Sequence, residues 1–464
     1  MSFLESVHLV YAELEQYHRE SASGEPPVVN QLPTREIIRE LDLEALLKKG
    51  NLAGGAFAEF IRRYLSLTVR LHHPGSLAHQ VAVPHPAAAL ATLVEGFTNN
   101  PMAIYEMGPA AASIEAFMID WLLGKVGWKS PDAGGVLTHG GSLANLTALV
   151  AARSSSVPDA WKKGNSGELG LLASEDCHYS ITRAAGIMGI GEENIYTYPA
   201  GASGLALEEG IGQALERSHS AGKRPFAVVA NACSTAAGQF EPLREVAAVC
   251  RRHGLWLHVD GAHGASALLS QKHRGRLDGV ELADSLTWDA HKLLRTPGLC
   301  TALLVRDART LDAAFQQDAS YLFHDKQQPG FDSIHRTVEC TKAALGLRLF
   351  TVLAAMGEAG VVEYVDGLIE VTQKAYQAYC EIPGVACPVE PQSNILCFRV
   401  PGDDATQLRV RDRLLAEGDF HLSTAMVGGR RHLRIVVTSP ATTLAHLRRL
   451  ASRALELAGK NGSG

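Results

Sequence analysis

The 464-residue sequence predicts an α/β protein: a mainly parallel seven-stranded sheet covered by helices, a helical arm before it and a smaller α/β unit after it. Three observations carry that expectation. Seven short runs rich in Val, Ile and Leu recur between residues 84 and 350, with helical stretches between most of them. Residues 1–83 show helical apolar spacing only, and beyond residue 350 a long helical pattern gives way to two strand–helix pairs.

Taken in order, the arm carries apolar residues at helical spacing over Glu36–Lys49 and Phe57–Val69, after the Pro-bearing stretch Glu25-Pro26-Pro27. A segment of this size cannot bury its apolar faces alone, so it should pack on another domain or on a partner subunit. The strand runs follow at 135–138, 169–173, 195–198, 226–231, 255–259, 285–288 and 301–305. Between two of them, Leu243, Val246, Ala247 and Cys250 repeat at i, i+3, i+4, i+7 and mark one apolar helical stripe. Alternation of this kind implies helices on both faces of the sheet, and ligands in such folds bind beyond the strand ends. The tail predicts a helix to about Tyr379, strands at 395–400 and 433–438, and helices at 405–417 and 442–458.

Composition narrows the function. The chain is 46% hydrophobic and 20% charged, with net charge −6 and no block of Lys or Arg, which argues against nucleic acid or an anionic membrane surface as partner. No CxxC pair and no His/Cys spacing suited to a metal occurs among the eight cysteines, which read as free thiols in a reducing compartment. The N-terminus shows no basic-then-apolar leader, and no apolar run approaches the ~20 residues of a membrane span. A cytoplasmic protein is expected.

Four strand-end features carry chemistry. Lys292 closes Asp289-Ala290-His291-Lys292 after the strand at 285–288; Asp260 ends the buried-strand pattern Trp256-Leu257-His258-Val259-Asp260. Alone, the first reads as a surface charge and the second as a strand-end cap. Together they are the pair that pyridoxal phosphate requires, an amine to form an imine and a carboxylate to keep the pyridine nitrogen protonated. Thr138-His139-Gly140-Gly141-Ser142 sits on a strand-to-helix turn, where two glycines, a hydroxyl and helix N-terminal amides suit a phosphate, although ordinary capping explains it as well. Thr235 offers a further hydroxyl on a loop. His178, just past the strand at 169–173, could stack on a flat ring or serve a structural role.

Residues Thr138–Arg153, Ser174–Gly189, Thr235–Gly264 and Ala283–Asp307 resemble, in order and spacing, the group II pyridoxal-phosphate-dependent amino-acid decarboxylases, with weaker likeness at His73–Gln80 and Arg434–Thr443. That family includes glutamate, cysteine sulfinate, diaminobutyrate and aromatic amino-acid decarboxylases. The resemblance implies a fold-type-I homodimer with active sites at the subunit interface and the N-terminal arm lying across the partner. It implies that Lys292 is the Schiff-base lysine, that Asp260 pairs with the pyridine nitrogen, that Ala262 packs under the ring and that His178 stacks on its other face. Gly141, Ser142 and Thr235 then bind phosphate with Asp289 nearby, and His291 contacts the phosphate or the bound substrate. Arg434 matches an arginine placed near substrate carboxylates, and His79 and Gln80 fall where relatives line the side-chain pocket with polar groups.

The sequence also departs from the family. Many relatives carry a mobile-loop tyrosine that protonates Cα, whereas residues 324–336 contain none. His324 or His335 could replace it as a proton donor, and each also reads as a solvated loop residue. Ala290 stands where proline is common and His263 where an aromatic is common. The expected reaction is decarboxylation of a small polar or acidic L-amino acid to the amine. The alternatives are an aromatic substrate, decarboxylation-dependent oxidative deamination to an aldehyde, transamination, or an inactive cofactor-binding regulatory subunit.

Overall fold

The computed structural model describes residues 3–50, 52–165, 167–199, 207–317 and 330–459. Their contacts form two units, one from Pro84–Asp366 and one that joins Met1–Val83 to Gly367–Gly464.

The first unit contains a seven-stranded sheet: β1 (Gly134–Thr138), β2 (Leu169–Ser174), β3 (Ile195–Tyr198), β4 (Arg224–Asn231), β5 (Trp256–Asp260), β6 (Ser285–Asp289) and β7 (Thr301–Val305), in the order β1-β7-β6-β5-β4-β2-β3. All seven runs seen in the sequence are strands, displaced by a residue or two at their ends. The pairs β2–β3, β2–β4, β4–β5 and β5–β6 are parallel, while β7 is antiparallel to both β6 and β1. The cause is connection length. Only a short helix, Ala290–Leu293, and a brief loop join β6 to β7, too little chain to cross back to the starting edge.

Helices cover both faces. On one side Met118, Leu122, Ile211, Leu243 and Val246 pack against Leu172, Val228 and Leu257 of the sheet; on the other, Ala148, Leu149 and Ile181 pack against Leu171, Val229 and Leu303. The helix Gly141–Ser156 lays the small residues Ala144, Ala148, Ala151 and Ala152 on the sheet, each no more than 1% exposed. Small side chains let this helix approach closely, which brings its N-terminus to the ends of the strands.

In the second unit β8 (Ile395–Phe398), β9 (Ser423–Val427) and β10 (Arg430–Val436) form a three-stranded antiparallel sheet of order β8-β10-β9. β9 was not anticipated. Its signal was Gly428-Gly429, a two-residue hairpin turn with φ of 56° and 74°, which glycine adopts without steric cost. The arm helices are Phe3–Ser23, Thr34–Glu40, Leu43–Lys49 and Gly55–Ser66; the helical pattern over Glu36–Lys49 is thus two helices, separated at Asp42 with φ 52°. The arm joins the C-terminal sheet through backbone bonds, Leu77 N–H to His421 O and Val436 N–H to Leu77 O, both at 2.8 Å.

The helix Leu345–Cys380 is broken at Gly357 (φ 68°). By length and composition it could cross a membrane, unlike any run anticipated from the sequence, with a mean hydropathy of 1.6 over its most apolar 18 residues. Leu345, Leu349, Val352, Val361, Val365 and Leu368 on it are all at most 4% exposed within the protein.

Candidate active site

In the Pro84–Asp366 unit, a cavity of about 240 Å³ has Gly141, Ser142, His178, Thr235, Asp260, Ala262, Asp289, His291 and Lys292 in its wall. These are the nine residues that the sequence assigned to one cofactor. Their convergence follows from topology. β1, β2, β4, β5 and β6 run the same way, so the turns after Thr138, Ser174, Asn231, Asp260 and Asp289 all open on one edge of the sheet.

Asp260 is 6% exposed at the end of β5. Its Oδ2 accepts from Asn145 Nδ2 at 2.8 Å, and its Oδ1 accepts from the Ala262 backbone N–H at 3.1 Å. Both donors fix the carboxylate without neutralising it. Lys292 lies one helical turn past β6, and its Nζ is 3.1 Å from Asp289 Oδ2. Asp289 is also 3.6 Å from His291 Nε2 and accepts from Thr301 Oγ1 at 2.5 Å. Burial works to raise the Asp289 carboxyl, but the charges of Lys292 and His291 and the bonds from Thr301 and Lys292 hold it below the usual range. His291 Nδ1 donates to Cys300 O at 2.9 Å, which turns Nε2 toward Asp289.

The turn after β1 is shaped for an anion. Gly140 has φ 102°, and a Cβ there would meet Leu299 Cδ1 at 3.2 Å. A Cβ on Gly141 would come within 3.1 Å of Asp289 Oδ1, so glycine keeps the floor of the cradle open. Gly141 begins a 16-residue helix whose first amides lack intrahelical acceptors. His178 Nδ1 faces Ser180 Oγ at 2.9 Å, and burial lowers the pKa of the imidazole.

A profile of the pyridoxal-dependent decarboxylase conserved domain matches residues 57–401. The chain belongs to that family. This decarboxylase is 30% identical over 447 residues to cysteine sulfinic acid decarboxylase of Mus musculus, covering 92% of this chain and 90% of that one. It is also 30% identical over 371 residues to the acidic amino acid decarboxylase GADL1 of Mus musculus, covering 79% and 67% of the two chains. The crystal structure of mouse CSAD superposes with a TM-score of 0.89 at 27% identity, covering 98% of both chains.

The cofactor of the decarboxylase is pyridoxal phosphate, and the cavity fits it: an amine and a carboxylate for the two ends of the ring, and a glycine cradle at a helix N-terminus for the phosphate. The decarboxylase holds its anticipated substrate residues in the other unit. There Arg434, 6% exposed on β10, donates from one terminal nitrogen to Ala78 O and to Ser423 Oγ, each at 3.2 Å. His79 stands edge-on to His421 with ring centroids 5.5 Å apart, and Gln80 Nε2 is a buried donor with no acceptor among the described residues. His335 ends a short 3-10 turn and is absent from the cavity wall, while His324 lies outside the described residues. Asn145, Thr301, His139 and Asn231 were not singled out beforehand. Asn145, His139 and Asn231 line the cavity, and Thr301 braces Asp289 beneath it.

Proposed function

We propose that this decarboxylase converts a small acidic or polar L-amino acid to its amine and CO2, using Lys292 and Asp260 as the two residues that grip the cofactor. The supporting observation is that a single cavity collects both side chains together with the glycine cradle. Bound pyridoxal phosphate supplies a protonated heteroaromatic ring that accepts the electron pair left when CO2 departs. Asp260 holds the proton at the ring nitrogen through a carboxylate already oriented by Asn145 and Ala262. Lys292 would hold the cofactor through its amine, whose counter-charge is Asp289. Gly141, Ser142 and Thr235 would hold the phosphate, His291 would contact the phosphate or the bound substrate, and Ala262 and His178 would flank the ring.

For the substrate, Arg434 takes a carboxylate: a buried guanidinium is suited to paired oxygen acceptors. The names of the relatives, an acidic amino acid decarboxylase and a cysteine sulfinic acid decarboxylase, favour an acidic side chain. His79 and Gln80 supply the remaining polar contacts.

The working form is a homodimer. On the helix Pro86–Thr98, Leu90, Leu93, Val94 and Phe97 form an i, i+3, i+4, i+7 stripe that is 63%, 44%, 53% and 67% exposed, an apolar face suited to a second copy of this chain. Phe97→Asp with Leu93→Asp should then yield monomers by light scattering; an unchanged dimer would place the interface elsewhere.

The absence of tyrosine from residues 324–336 favours one further outcome, in which O2 as two-electron oxidant and water convert the amino acid to aldehyde, CO2, ammonia and hydrogen peroxide; His335 or His324 is the alternative proton source for the amine-forming route. A screen of CO2 release across glutamate, aspartate, cysteine sulfinate, 2,4-diaminobutyrate and aromatic amino acids, with amine and aldehyde both assayed, tests the reading. Release from an acidic substrate is the expected result, and no release from any of them refutes it.

A further inference from the structure

Asn145 is 1% exposed and makes four hydrogen bonds, the full capacity of a primary amide if each acceptor and donor position is used once. Its Oδ1 accepts from Thr287 Oγ1 at 2.7 Å and from His258 Nε2 at 3.0 Å. Its Nδ2 donates to Asp260 Oδ2 at 2.8 Å and to Ser180 Oγ at 2.9 Å. A flipped amide would set a carbonyl oxygen against the Asp260 carboxylate, so the orientation is determined.

The neighbours agree with it. Burial holds the His258 imidazole neutral, with its pKa lowered to about 4. A proton on His258 Nε2 serves Asn145, and Nδ1 accepts from Ser285 Oγ at 2.8 Å, which itself accepts from Trp256 Nε1 at 2.9 Å. On the other branch, Ser180 Oγ has accepted from Asn145 and turns its own proton to His178 Nδ1 at 2.9 Å. The Ser180 backbone N–H, which can only donate, faces the same nitrogen at 3.3 Å. His178 Nδ1 therefore carries no proton, and the ring proton sits on Nε2.

We propose that Asn145 is a positioning residue that sets the proton pattern of the pocket, committing Asp260 to accept from the cofactor ring nitrogen and, through Ser180, leaving His178 a donor at Nε2. The inference rests on the cofactor reading above. A proton on Asp260 Oδ2, or on His178 Nδ1, would collide with one that Asn145 or Ser180 already supplies. One amide thus governs two groups on the pocket wall.

The test uses holoenzyme loaded with ring-15N pyridoxal phosphate and 15N-labelled in its histidines. In Asn145→Leu the ring-nitrogen signal should move from the pyridinium toward the neutral pyridine position, and turnover should fall by about 10- to 100-fold, as when a group that orients a reacting residue is removed. Asn145→Ala also removes the donor to Asp260 Oδ2, with no bulk added, and the signal moves the same way. It carries the test if the leucine variant does not fold. Ser180→Ala separates the branches: the ring-nitrogen signal stays, and His178 becomes a mixture of tautomers. An unshifted pyridinium signal in the Asn145 variants, or an unchanged His178 tautomer in Ser180→Ala, overturns the proposal. Failure of the cofactor reading looks different, because borohydride then fixes no label on Lys292 even in the unaltered enzyme.

Discussion

The Lys292 amine lies 3.1 Å from Asp289 Oδ2, three residues before it on the same turn, and that carboxylate is 2% exposed. The pair is held from below by Thr301 Oγ1 at 2.5 Å, from the strand that runs against the rest of the sheet. Asp289→Ala removes the partner of a mostly buried amine, so the apoprotein should lose about 2 kcal/mol in a denaturant titration. Asp289→Asn, which can still accept from both partners, should lose clearly less. Equal losses would show that the charge of Asp289 is unimportant.

Glu241 predicts a pH signature. Burial pushes its carboxyl from the ordinary 4.5 up to about 7, although Tyr198, Ser174 and Asn231 donate to it. Between those values the folded state holds a proton that the unfolded state has released, so this group costs stability progressively as pH rises from 4.5 to 7, and in full above 7. Glu241→Gln removes that cost. Relative to wild type, the variant should gain roughly 3 kcal/mol between pH 4.5 and 8, from about 1.4 kcal/mol per pH unit. His258, lowered from 6.5 to about 4, contributes the opposite slope, so the difference between variant and wild type is the informative quantity. A flat difference curve contradicts the assignment.

If Arg434 takes the substrate carboxylate, Arg434→Gln should raise KM for the acidic substrate by about 10- to 100-fold, the worth of one charge-assisted hydrogen bond. Turnover of an uncharged analogue should change little. An equal loss for both substrates assigns Arg434 to supporting Ala78 and Ser423 instead.

Much of the candidate pocket's lining was legible in the sequence because each piece follows a strand with its own local pattern. Lys292, Asp260, His178 and the Gly140-Gly141-Ser142 turn are strand-end residues, and a parallel sheet gathers such ends along one edge. What remained hidden depends on partners distant in the chain. Asn145 meets Asp260 across 115 residues and Thr287 across 142, and nothing in its own helix pattern distinguishes it from a residue facing the sheet. Thr301 escaped notice for a similar reason, since its role depends on β7 running backwards. In the smaller unit β9 hid because its residues are mostly half-buried and only weakly apolar, leaving the Gly428-Gly429 turn as its marker.

The missing loop tyrosine predicts the product balance. Oxygen uptake and hydrogen peroxide measured during turnover should account for a substantial share of the CO2 released if oxygen intercepts the carbanion. His335→Gln should raise that share if His335 delivers the proton to Cα. Amine equal to CO2 in both proteins would show that the proton comes from another group.

Lys292 is the residue proposed to bond the cofactor, within the cavity that Asp260 also lines. Reducing the loaded enzyme with borohydride and mapping the pyridoxyl group by peptide mass spectrometry tests it directly. The modification should fall on Lys292 alone, and Lys292→Ala should lose it together with visible absorbance and turnover. A pyridoxyl group on another lysine, or an active and coloured Lys292→Ala, would contradict it.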